Sequence, residues 1–291
     1  IVTAPSVVLG SVSVENNHLR DIGAPHAPPQ NDPFVFGISL RRTESATVAG
    51  NQLHRIGREA PAGMQRIAAI VLFAVRSSRV SNNQVVDVGP PIAASTMIIA
   101  GIQTLGPQEN HLVSGNHVSR DANTSPDGAN WFALLVEEPG PQVPIIHVGN
   151  FSVVNLAAAR MLVLDGTHIF THDLVLDPTG ANPLSLGQSS VVVTGNVLNA
   201  RGSTPAVNLT TTLDVKFSDN RCTLNGREAV ISVTCAAALM NSNAVRGLGR
   251  ISIDSRVAGS QNAAIGNVTN GEIFVNGQPL PAPWAPLNVR M

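Results

Sequence analysis

The residues best equipped for chemistry lie between Asp165 and Asp177. The stretch Asp165-Gly-Thr-His168-Ile-Phe-Thr-His172-Asp173, with Asp177 close behind, gathers three carboxylates and two imidazoles within a short span. Carboxylates flanking a sugar linkage can act as general acid and base. Asp165, His168, His172 and Asp177 are therefore the candidate catalytic residues of a polysaccharide lyase or glycoside hydrolase. A bland alternative competes with this one: a turn whose Asp makes local hydrogen bonds accounts for the same residues. No second acidic cluster lies nearby to complete a carboxylate pair, and no Asp-Asp occurs anywhere in the chain.

Two other polar sets depend on how the chain is organised. VSVENNHLRDIG from Val12, ATVAGNQLHRIG from Ala46, SRVSNNQVVDVG from Ser78, HLVSGNHVSRDA from His111, VVVTGNVLNARG from Val191 and VKFSDNRCTLNG from Val215 are versions of one pattern. Each has an Asn preceded by a residue that tolerates a left-handed turn, with an apolar residue three before and another two after. Extended through the chain, the register residues are Asn17, Asn51, Asn83, Asn116, Asn150, Asn196, Asn220, Asn243 and Asn267, separated by 34, 32, 33, 34, 46, 24, 23 and 24 positions. The 46 is twice 23 and predicts a hidden copy, found where Asp173 replaces Asn between Phe170 and Val175.

A unit of this length without helical periodicity suits short strands joined by turns, and stacked units would align equivalent residues about 4.8 Å apart. The column three before the Asn then reads Val14, Val48, Val80, Val113, Phe170, Val193, Phe217 and Met240, and the column two after reads Leu19, Leu53, Val85, Val118, Val175, Leu198, Cys222 and Val245. Both are expected to face inward. The Asn column is expected to be structural, since an amide both donates and accepts and can bond its neighbours in a dry corner. The column just after it, His18, Gln52, Gln84 and His117, predicts an exposed polar stripe. Asp21, Arg55, Asp87 and Arg120 alternate in sign four positions after the Asn, which fits surface ion pairing better than a calcium site.

Turn asparagines stacked between short strands resemble those of the right-handed parallel β-helix family, which includes pectate lyases, polygalacturonases and many phage or injection-machine spikes. The resemblance runs from about Val7 to Val275 and concerns fold rather than activity. It implies an all-β, right-handed parallel β-helix of about ten coils with an asparagine ladder. The stretches FSDNRCTLNG and GNVTNGEIFVNGQPLPAPWAPLN are also similar to bacterial β-helix proteins loosely associated with phage-tail-like or contractile injection systems.

On this reading residues 1–276 form the helix, with loop insertions in 1–149 and compact coils of 23–24 residues in 150–276. Residues 277–291, rich in Pro and containing Trp284, are expected to cap the end by packing near Ile273 and Val275, with a docking peptide for a partner as the alternative. The insertions APHAPPQNDP from Ala24, GREAPAGMQR from Gly57, GPPIAAS from Gly89 and ANTSPDGAN from Ala122 would gather into a ridge on the N-terminal half, where a scaffold usually carries its binding residues.

Composition narrows the function. The formal net charge is −1 and Lys216 is the only lysine among 18 basic residues, so no basic face exists to neutralise phosphates, and nucleic acid is not an expected partner. The apolar run from Arg66 to Ser77 falls short of the roughly eighteen residues a membrane helix needs. Cys222 and Cys235 sit in apolar stretches as small hydrophobes, and neither a cofactor nor a metal is expected. With no Tyr and only 3% aromatic residues, sugar-stacking platforms are scarce. The chain begins Ile1-Val2, which suggests a piece of a longer protein, and an extracellular or secreted setting is favoured. The expected function is a non-catalytic structural or binding shaft that engages a protein or polysaccharide through its N-terminal loops, as a monomer or homo-oligomer; the lyase or hydrolase is the alternative.

Overall fold

The structure is a computed structural model that describes residues 8–23, 34–61, 64–91, 97–106, 110–120, 130–137, 144–148, 151–154, 160–163, 166–171, 174–177, 184–186, 189–200, 207–210, 214–224, 230–247, 250–255, 262–280 and 287–290. Among the described residues the strands fall into two sheets, one of 19 strands and one of 11. Val is the commonest residue in them, as expected where a branched side chain packs on a pleated surface. Pairing is parallel throughout the described residues except at Phe274–Val275, which meets Gln278–Pro279 antiparallel.

Equivalent residues pair directly. In the larger sheet Val14, Val48, Val80 and Val113 are consecutive partners, as are Val193, Phe217, Met240 and Ala264. In the smaller one Leu19 pairs with Leu53, Leu53 with Val85 and Val85 with Val118. The side chains of Val48, Val80, Leu53 and Val85 are fully buried. They belong to one apolar core that runs from Val14 to Ile273.

Between the two columns the chain turns through a left-handed residue followed by Asn. Asn16, Gly50, Asn82, Gly115, Gly195, Asp219, Ser242 and Gly266 all have φ between 55° and 68°, a region that glycine enters without strain and Asn or Asp enters at low cost. The following asparagines hydrogen-bond one another. Asn17 Nδ2 donates to Asn51 Oδ1 at 3.0 Å, Asn51 to Asn83 at 2.9 Å and Asn83 to Asn116 at 2.9 Å. A second run links Asn196 to Asn220 at 3.0 Å, Asn220 to Asn243 at 3.1 Å, Asn243 to Asn267 at 2.8 Å and Asn267 to Asn288 at 2.8 Å. Each accepting Oδ1 from Asn220 onward also takes the backbone N–H of the preceding Asn. The second amide hydrogen goes to a strand carbonyl, as from Asn220 to Val193 at 3.0 Å.

The N-terminal half differs in one respect. The strands Phe34–Ala49 and Arg66–Ser81 are 16 residues long and bend where Arg42 and Ala74 take φ values of 49° and 50°. Ahead of the bend, Ile67, Ile70 and Leu72 face the main core, while Ala68 and Val71 join Ala100, Phe132 and Leu135 in a second apolar cluster on the opposite face. Burial on both faces explains the continuous run IAAIVLFAV, which is what a strand covered on both sides requires. Gly37 and Gly101 occupy the irregularity between these alternations. A Cβ on Gly101 would lie 2.8 Å from the Ala133 carbonyl, and one on Gly37 would lie 2.7 Å from the Ala69 carbonyl.

These observations correct the expected right-handed parallel β-helix of about ten coils. The strands belong to discrete sheets of unequal size rather than to equivalent coils. A strict repeat does not describe the chain, because bent 16-residue strands in the early passes give way to strands of four and six residues at Val215–Ser218 and Val230–Cys235. Nor do the asparagines form one ladder of ten: the described contacts make two runs, and Asn150 and Asp173 lie outside the described residues. The second run ends on Asn288, which lies in the stretch assigned to a Pro-rich cap. That stretch is not a lid that avoids pairing. Val289–Arg290 adds a parallel strand beside Val268–Thr269, and the Leu280 N–H donates to the Ile273 carbonyl at 2.8 Å. Trp284 is outside the described residues.

Two substitutions test this packing. Asn220→Leu leaves the Asn196 donors without their acceptor and removes the amide that donates to the Val193 carbonyl and Asn243 Oδ1 in a buried turn, and is expected to lower unfolding free energy by about 1–3 kcal/mol in urea titration. Gly101→Ala is expected to cost about 1–3 kcal/mol by overpacking against Ala133 and Val118, whereas Gly10→Ala, with open space at its Cβ, should leave the midpoint unchanged.

Candidate functional site

Of the four candidate catalytic residues, Asp165 and His172 lie outside the described residues. His168 falls within Gly166–Thr171, paired between Ile145 and Val191 in the larger sheet. Asp177 ends Leu174–Asp177, opposite Ala200 in the smaller sheet. The backbone therefore assigns His168 and Asp177 to different sheets.

The polar columns of the N-terminal half are described in more detail. His18 pairs with Gln52, Gln52 with Gln84 and Gln84 with His117, and the first three are exposed. In the charged column Arg55 Nε lies 2.9 Å from Asp21 Oδ1, and Arg55 also reaches Glu59 at 3.8 Å. These groups are about half exposed, so the pairing contributes little to stability. Asp21, Arg55 and Asp87 share left-handed φ values of 54°, 56° and 57°, so the column marks a corner of the fold as well as an ion pair. Arg120 ends the strand His117–Arg120.

Nucleophiles and titratable groups in the interior are withdrawn from solvent. Burial pushes the Cys222 thiol up to about 12. Burial, helped by the charge of Asp214 and opposed by a backbone hydrogen bond at Val215, pushes Cys235 up to about 11. Both are thus poor thiolates at neutral pH. His111 is buried with its Nδ1 hydrogen-bonded to Ser78 Oγ. Burial lowers its pKa from 6.5 to about 4, against an opposing backbone hydrogen bond at Val75, so the imidazole is neutral at pH 7. Among the described residues no group of three or more His, Cys, Asp or Glu is placed to hold a metal ion, and no helix is long and apolar enough to cross a membrane.

A concavity of about 230 Å³ lies beside Asp21, Arg55 and Glu59, and a larger one lies on the outer side of the bent strands. It encloses about 670 Å³. At one end Phe34 pairs with Arg66 and Arg66 with Ile98; at the other Arg41 pairs with Phe73 and Phe73 with Leu105. Phe34 and Phe36 lie nearly parallel, 10° apart with centroids separated by 5.9 Å. The Arg41 guanidinium sits 5.9 Å from the Phe36 centroid. Sequence reasoning missed this cleft because it treated the apolar run from Arg66 only as a rejected membrane span. The signal it offered was a strand too apolar for one buried face, with Phe and Arg at its ends.

The interior histidine supplies a test. A depressed folded-state pKa means that the unfolded chain binds a proton the folded chain refuses, so this stabilisation is complete above pH 6.5 and lost as pH falls toward 4. The expected loss across that window is about 3 kcal/mol from His111 alone. Urea titrations at pH 7 and pH 4 should show the difference shrink in a Ser78→Ala/His111→Leu variant.

No family model, no curated protein and no solved structure matches this chain; membership of a pectate-lyase-like β-helix family, and the right hand that rested on that resemblance alone, therefore find no support.

Proposed function

We propose that the chain is a non-catalytic binding scaffold: stacked strands form a rigid body, and its N-terminal half presents the surface that recognises a protein or polysaccharide in a larger cell-surface or phage-like assembly. The observation that supports this most directly is the cleft over the bent strands. It exposes Phe34 and Phe73 at 39% and 44%, and Arg41 and Arg66 line it with them. Exposed aromatics beside arginines are the composition of recognition surfaces. The buried turn asparagines have a structural use, since their amides bond one another and the strand carbonyls.

Of the four loop insertions, the one from Ala24 and all but the last residue of the one from Ala122 lie outside the described residues, while Ile56–Glu59 form turns beside the Asp21–Arg55 pair. The reading rests on the cleft rather than on a loop ridge. Its test is a screen of the purified chain against neutral and acidic polysaccharides, scored separately for retention and turnover. Retention without turnover, weakened by Phe73→Ala, is expected. Turnover abolished by Asp165→Ala or His168→Ala would establish a lyase or hydrolase and overturn the scaffold reading.

A further inference from the structure

We infer that the first edge of the two sheets, at Leu9–Glu15 and His18–Arg20, is a docking site for an extended polypeptide segment with a Gly-Asn turn, which adds one parallel strand to each sheet. The inference concerns this edge and is independent of the cleft. Among the described residues Leu9–Glu15 pairs only with Phe34–Ala49, and His18–Arg20 only with Gln52–His54, so each keeps one side on which a further strand can pair. The far end differs, because Gln278–Pro279 folds back antiparallel on Phe274–Val275 and closes the larger sheet there. Apolar side chains at the first edge are correspondingly uncovered. Leu19 and Ile22 are half-buried, whereas Leu53 and Ile56, one pass further in, are fully buried.

Hydrogen bonding decides what the occupant must be. In both asparagine runs the earlier residue donates and the later one accepts, so Oδ1 of Asn51, Asn83, Asn220, Asn243 and Asn267 each takes a backbone N–H and a side-chain amide. Nothing among the described residues donates to Asn17 Oδ1. Its Nδ2 is also short of its usual partner: Asn51, Asn83 and Asn116 reach the carbonyls of Val14, Val48 and Val80 in the preceding pass, whereas Asn17 turns back to the Glu15 carbonyl at 3.0 Å. The edge therefore lacks two N–H donors and one carbonyl, which a turn asparagine and its strand supply together. A second copy meeting this edge with its own would set one Asn17 acceptor against another, and the folded-back strand obstructs the larger sheet of a copy arriving by its far end. The preceding residue narrows the choice further. Gly50-Asn51 stands on Asn82-Asn83, with the Gly50 N–H on the Ser81 carbonyl and the Asn51 donors on Asn83 Oδ1. Asn16-Asn17 presents the same pair at the edge, with Asn16 and Asn82 sharing φ values of 56° and 55°. A segment with the pattern of Ala46–Ile56 thus fits it, its Gly over Asn16, its Asn on Asn17 and its following apolar residues over Leu19 and Ile22.

The experiment titrates the whole chain into a fluorescently labelled peptide with the sequence of residues 46–56, ATVAGNQLHRI, its ends blocked, and follows anisotropy. Saturable binding of one peptide per chain is expected. Asn51→Asp in the peptide removes the donating amide and should weaken binding about tenfold, and a scrambled peptide of the same composition should not bind. Leu19→Arg in the protein should weaken binding at least tenfold; circular dichroism and the urea midpoint verify its fold, and the peptide variants keep the test decisive if that protein does not fold. Phe73→Ala should leave binding unchanged, and a loss there would move the peptide to the cleft and overturn the proposal. Absence of binding, or equal binding of the Asn51→Asp and scrambled peptides, also overturns it. Binding that appears only after residues 1–7 are removed would make the chain's own N-terminus the occupant. Self-association in sedimentation velocity that the peptide reverses would make a second copy the occupant. Either result overturns the docking of a separate Gly-Asn segment. The polysaccharide screen reads the cleft alone, so its failure leaves this edge standing.

Discussion

The amide of a buried turn asparagine is the contact on which the remaining structure depends. A chain that stacks parallel strands must leave one sheet and enter the other through a sharp corner, where backbone groups are turned away from the ladder. At Asn220 the side chain carbonyl accepts from both the backbone and the side chain of Asn196, while its own amide donates to Val193 and Asn243. An apolar residue of similar size would fill the corner but leave these partners unsatisfied. The left-handed residue before each Asn is part of the same device, because it is what aims the amide along the stack.

Once the corner is fixed, register follows. Side chains in a strand alternate between faces, so a slip of one residue would exchange the core column for the surface column. With the asparagines in line, Val48 lies over Val80 on one side of the turn and Leu53 over Val85 on the other. The small aliphatic composition becomes intelligible here: equivalent residues touch along the stack, and branched chains of similar volume fill that space without voids. The exposed residues are freed from structural duty by the same arrangement, as the His18, Gln52 and Gln84 column illustrates.

The N-terminal half adds a second constraint. Its bent strands bury both faces, which demands an outer apolar cluster and, at the irregularity, residues as small as Gly37 and Gly101. That cluster builds a floor where an ordinary sheet would present a solvated face. The aromatic and guanidinium groups at its margin acquire a fixed position on a rigid base, and pre-organisation of this kind lowers the entropic cost of binding. The later passes have short strands and show no comparable described cleft, so the concavity in the first half is a consequence of the strand architecture.

How much of this the sequence disclosed depends on the range of the interaction. The turn asparagines, the left-handed residue before each and the apolar columns beside them were legible, because each rests on a local conformational demand repeated at regular spacing. Spacing could not say whether the passes were equivalent, how strands divide between sheets, or that Asn288 would join the second run from a stretch full of proline. Those outcomes depend on which segments meet across 21 to 37 positions of chain. The family resemblance supplied a hand that no known protein supports. The cleft was invisible for a related reason: Phe36, Arg41, Arg66 and Phe73 are unremarkable in order along the chain. By itself the sequence determined the corners and their inward columns through local backbone and amide chemistry; tertiary structure alone decided the second apolar cluster and the cleft above it, because burying both faces of a strand requires neighbours that only the assembled sheet brings together.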